Sequence, residues 1–118
     1  MPARATRPAD PAAVEAALVR RHDSDLRLLT KHFLAVLAER APGRSVEIRV
    51  PPYAAVQAVP GVRHTRGTPP AVVETDAATW LDLATGVLTW PEAVEQGRVV
   101  ASGERADLAP YLPLTELP

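Results

Sequence analysis

At 118 residues, with 47% apolar and 23% charged content, the chain is long enough for one hydrophobic core and too short for two. A net charge of −1 excludes the broad basic footprint of a general nucleic-acid binder. The absence of cysteine excludes disulfides, thiolate metal sites and cysteine nucleophiles together.

Residues 1–9 carry proline and arginine with no apolar period and read as a flexible lead to a single domain over 10–118. No apolar run here has the length of a signal peptide or a membrane span, so a cytoplasmic address is the default expectation. Asp10 followed by Pro11 is a cap with proline at the first helical position, opening a helix to about Arg21 with Val14, Ala17 and Leu18 inward. A longer helix begins at Asp23 or Ser24. Its stripe of Leu26, Leu29, Phe33, Val36 and Leu37 is wide enough to lie on a sheet, and Ala41-Pro42-Gly43 ends it.

From Ser45 to Val50 the pattern alternates, with Val46, Ile48 and Val50 on one face and Glu47 and Arg49 on the other, as in a half-buried antiparallel strand. Pro51-Pro52 interrupts, a second strand runs from Tyr53 to Val59, and Pro60-Gly61 reads as a turn. An irregular polar loop follows to Pro70, then a third strand from Ala71 to Thr75.

The densest local signals lie in 71–112. Asp76 caps a helix that Gly86 ends by taking up the left-handed conformation. Thr89 and Glu92 have the spacing of a capping box, with Trp90 and Pro91 in the first turn of a short helix that Gly97 stops. Arg98 to Ser102 is a fourth strand, and a closing helix is expected after it. The fold class that follows is α+β: a small, mostly antiparallel sheet of four to five strands, covered on one face by helices.

Three phrases in this half resemble the sterol carrier protein (non-specific lipid-transfer) family, in the manner of a stand-alone actinobacterial-type member. They are Trp80-Leu81-Asp82-Leu83-Ala84-Thr85-Gly86, Ala93-Val94-Glu95-Gln96-Gly97-Arg98 and Val100-Ala101-Ser102-Gly103. The resemblance implies a non-catalytic carrier with an apolar cavity for a fatty-acyl, isoprenoid or sterol-like molecule, and no cofactor. It implies an apolar lining drawn from Trp80, Leu83, Leu88, Trp90, Val94, Leu108 and Leu112. The bland reading of any one of these positions is ordinary core packing. That family would place one more strand before the Gly86 helix, where this chain has the short loop around Arg66.

That loop holds the concentrated polar cluster Arg63, His64 and Arg66, with Thr65, Gly67 and Thr68. Guanidiniums offer bidentate donors to a carboxylate or phosphate, so these three are candidates for a ligand's head group. The competing reading is a surface loop whose arginines pair with Glu74 or Asp76. His22 and His32 lack a second ligand at metal spacing, no paired carboxylates stand out, and no serine sits in a nucleophile elbow. An enzyme would require His64 as base and Arg66 on an oxyanion, on local grouping alone. The main alternative to a carrier is an accessory or dimerising domain with a filled interior, related to the C-terminal modules of bacterial thiol-dependent isomerases and acetyltransferases. No partner nucleic acid and no integral membrane segment are expected.

Overall fold

The computed structural model describes residues 3–4, 7–61, 71–103 and 106–115. In chain order the elements are β1 (Ala3–Arg4), α1 (Pro11–Arg20), a 3₁₀ turn at Asp23–Asp25, α2 (Leu26–Arg40), β2 (Val46–Val50) and β3 (Ala54–Ala58). Then come β4 (Ala71–Thr75), α3 (Ala77–Thr85), α4 (Trp90–Glu95), β5 (Val99–Ser102) and a 3₁₀ turn at Ala109–Tyr111.

The strands form one sheet in the order β1-β3-β2-β4-β5. It is mixed, which corrects the expectation of a mostly antiparallel sheet: β2/β3 and β4/β5 are antiparallel, while β2/β4 and β1/β3 are parallel. The reason is the strand order. The chain reverses from β2 to β3 and again from β3 to β4, so β4 runs with β2, and it inserts beside β2 rather than beside β3. Val46 is thereby opposite Ala58 on one side and Ala71 on the other.

The α+β class and the helical cover on one face follow from alternation. Val46, Ile48, Val50, Ala54, Val56, Ala58, Ala71 and Val73 are buried beneath the helices. On the outer face Glu47 and Arg49 form a two-bonded ion pair, and Val100 stands exposed. The centre of the cover is α2, which packs across β3 and against α1 and α3. Leu29, Phe33, Leu34 and Leu37 fill its inner side, while Leu26 and Val36 of the expected stripe are only half-buried.

The caps form as their chemistry dictates. Asp10 accepts from the Ala13 N–H, Asp76 from the Thr79 N–H, and Thr89 and Glu92 exchange both bonds of the capping box. Gly86 ends α3 at φ 81°, the left-handed region. Elsewhere the expectations shift. A turn also lies at 51–53, where the Tyr53 N–H donates to the Val50 carbonyl, while the turn expected at Pro60-Gly61 runs into residues outside those described. Val59 takes φ 75°, costly for a β-branched residue. It is held by its N–H on the Ala41 carbonyl and by the Ser45 N–H and hydroxyl on its own carbonyl. After β5, the described residues carry an extended path with one 3₁₀ turn in place of a closing helix. Pro110 and Pro113 lack the N–H groups that a longer helix would need.

Candidate functional site

Where α3 ends and α4 begins, the cap chemistry leaves a space. Gly86 turns the chain out of α3, the Leu88 N–H returns to the Asp82 carbonyl, and the capping box starts α4 with Trp90 inward. The C-terminal segment closes the other side. The N–H groups of Leu114 and Thr115 both donate to the Ala84 carbonyl, and the Arg40 guanidinium donates to the Pro113 carbonyl. Between them lies a cavity of about 200 Å³, open on one side. Leu83, Leu88, Trp90 and Leu112 form its apolar walls, with Pro91 and Pro113 at its edges.

Those four residues are the part of the sequence-derived lining that the fold brings together. The other three lie elsewhere. Trp80 is fully buried in the core, and its indole N–H donates to the Thr30 carbonyl on α2. Leu108 is also fully buried in the core cluster and is not part of the cavity wall. Val94 is 50% exposed. In so short a helix Trp90 and Ala93 take the inner side, and the next residue is rotated about 100° away. Arg63, His64 and Arg66 lie outside the described residues. Gly86, Thr89, Pro91, Ala109 and Pro113, also on the wall, were not assigned from sequence. Their signal was present only as cap and turn chemistry, which speaks to chain path and not to what the path encloses.

A second concavity lies on the opposite type of surface. Residues Arg7, Pro8 and Ala9 run beside α2, and the Ala9 N–H donates to Nδ1 of His32 at 3.0 Å. Between them is an open groove of about 500 Å³ whose α2 side presents Ser24, Arg27, Leu28 and Lys31. His32 packs edge-on against Phe33, with ring centroids 4.8 Å apart. Burial pushes its imidazole below the ordinary value, with the Glu39 charge acting in the opposite direction. An accepting Nδ1 places the proton of the neutral ring on Nε2.

The remaining electrostatics are structural. Asp82 on α3 receives Arg98 and Arg21, and Arg98 also donates to the Thr79 hydroxyl, tying the start of β5 to α3. Asp25 is buried, bonded by Arg20 and by the His22 N–H. The Arg20 hydrogen bond is the main reason its carboxyl lies below the usual range. No group of three or more His, Asp or Glu among the described residues could hold a metal ion. No helix among them is long and apolar enough to cross a membrane.

A family model described as a bacterial SCP ortholog matches residues 22–114, every element from the 3₁₀ turn before α2 onward. No curated protein matches the chain. The chain therefore belongs to the bacterial SCP-ortholog family, a sterol carrier protein-like group, as the three phrases around Gly86, Gly97 and Gly103 imply.

Proposed function

We propose that this member of the SCP-ortholog family is a non-catalytic binder of small apolar molecules, taking the apolar end of a lipid-like ligand into the cavity beneath Trp90. The observation that carries this reading is the enclosure of Leu83, Leu88, Trp90 and Leu112 around unfilled space, in the half of the chain that bears the family's phrases. Volume limits what enters. About 150 Å³ accommodates a benzene ring, whereas pockets for whole drug-sized ligands run to about 300–1,000 Å³. At about 200 Å³ the cavity holds a short alkyl end or one ring, and the rest of a longer molecule passes out through the open side. Arg63, His64 and Arg66 are proposed to meet its polar head, on the chemistry of their side chains.

Burial contributes about 0.8 kcal/mol per methylene removed from water, so affinity rises steeply with chain length and levels off once the cavity is full. Titration of a fatty-acid series from butyrate to palmitate, followed by the emission of Trp90 in a Trp80→Phe background, tests this. A rise then a plateau is expected, with Leu112→Phe weakening the response by filling part of the space. A response independent of chain length, or unaffected by Leu112→Phe, removes the proposal. The triple variant R63Q/H64Q/R66Q is expected to weaken fatty acids and leave the matching alcohols unchanged.

The second reading, an accessory domain with a filled interior, draws support from Trp80, Phe33, Leu81 and Leu108, all fully buried in one continuous cluster. Light scattering separates the two: a stable dimer that ignores the fatty-acid series favours it.

A further inference from the structure

We propose that the groove between residues 7–9 and α2 is a second site, which binds an anionic amphiphile through a phosphate or carboxylate head. The chain as a whole is slightly negative, yet this groove gathers Arg7, Arg27 and Lys31 with no carboxylate on its wall. None of the three forms an ion pair among the described residues. Asp23, four residues before Arg27, is not bonded to it, and Asp25 is already taken by Arg20. Arg27 and Lys31 are four apart on one helix, where like charges repel. An anion placed between them relieves that repulsion and meets a guanidinium and an ammonium at once.

The floor argues for an attached apolar arm. Leu28, Pro8 and Ala9 lie among the cations, so the site offers charge at its edge and carbon below. His32 also lines the groove, and its Nε2–H is left as a neutral donor because Nδ1 is occupied by Ala9. This site does not depend on the cavity beneath Trp90, with which it shares no wall residue.

The test uses the full chain and dodecyl phosphate kept below micelle formation, read by NMR at the Ala9 amide and the His32 ring. Saturable shifts of both resonances are expected. Each of these two cations contributes about threefold, so R27Q/K31Q is expected to weaken binding about tenfold while the thermal midpoint is unchanged or slightly raised. Inorganic phosphate alone is expected to bind far more weakly, since each methylene covered by the floor adds up to about fourfold. Dodecyl maltoside, with the same chain and a neutral head, is expected to bind more weakly than dodecyl phosphate, through its chain alone. Equal affinity for inorganic phosphate or for the maltoside overturns the proposal, as does an unchanged dissociation constant for R27Q/K31Q. A response confined to Trp90 emission also overturns it, because the ligand then occupies the other cavity.

Discussion

The cavity beneath Trp90 and the groove beside His32 are both walled by helices, but they are held in opposite ways. The first is framed by backbone hydrogen bonds that cannot titrate: Leu88 on Asp82, and Leu114 and Thr115 on Ala84. The second has one regular wall, α2, and an opposite wall whose Ala9 N–H hangs on an imidazole nitrogen. A fixed frame yields a small apolar space with a set volume. A wall attached through a titratable ring yields a wide, charged groove that responds to conditions.

The largest effect expected separates the cavity from the core beside it. Trp80 and Trp90 look alike in sequence, yet Trp80 is enclosed on all sides and Trp90 has one side on empty space. Trp80→Ala should destabilise by about 3–5 kcal/mol, since it opens a void and frees the Thr30 carbonyl. Trp90→Ala should cost clearly less, because fewer contacts are lost where a cavity already exists. Urea denaturation of both variants checks this; equal losses would mean that the cavity wall is packed like the core.

Next in size are the caps that set the cavity's frame. Thr89→Ala or Asp76→Ala should each cost about 1 kcal/mol, measured as a shift in urea midpoint. The same caps carry a pH signature. Thr79 holds the Asp76 carboxyl below its usual range, first through its hydroxyl and then through its N–H, with Arg98 adding and burial opposing. The Thr89 N–H and then its side chain do the same for Glu92. A depressed carboxylate stabilises the fold above the unfolded value of about 4 and loses that contribution as pH falls through the folded one. The cavity frame should therefore be insensitive to pH until the solution is distinctly acidic.

Much of this frame was legible because its chemistry is local. Asp76, Gly86 and the Thr89–Glu92 pair each specify a backbone event within four residues, and the fold obeys all three. The direction of β4 was not legible. Alternation at Ala71, Val73 and Thr75 reports a half-buried strand and nothing about its neighbour, which is fixed by long-range pairing with β2. Of the cavity wall, Leu83, Leu88, Trp90 and Leu112 were readable as apolar, but Trp80 and Leu108 have the same pattern and differ only in what surrounds them. The groove was hidden for a different reason. Arg27 and Lys31 read as a solvated helix face, and nothing in the sequence brings Arg7 and Ala9 alongside them.

A smaller effect, of opposite sign, lies on the inner side of α2. Thr30 is fully buried, and its hydroxyl has no hydrogen-bond partner, although its carbonyl receives Trp80. Thr30→Val keeps the shape and removes an unsatisfied polar group, so it should stabilise by up to about 1 kcal/mol. A thermal midpoint that falls instead would show that the hydroxyl is satisfied in solution, and that the core side of α2 is more open than its groove side.

The smallest effect is the most specific to the groove. The folded state holds the His32 imidazole below its ordinary 6.5, because burial opposes the charge. The Glu39 charge acts against that burial, and Arg7, Arg27 and Lys31 line the same groove. With the folded value depressed, the unfolded chain binds the proton first as pH falls, so stability declines from about pH 6.5 down to the folded value and is flat below it. Protonation also removes the acceptor for the Ala9 N–H, so the wall formed by residues 7–9 should loosen over that same interval. Amide exchange at Ala9, measured from about pH 7.5 to about pH 5 and corrected for its intrinsic pH dependence, should show protection falling across it. In His32→Gln, which cannot titrate, the step should vanish while the later loss at the Asp76 and Glu92 caps persists. Two separate acid transitions, one for each region, are the result expected if groove and cavity are held as differently as their hydrogen bonds indicate; a single shared transition would mean that they open together.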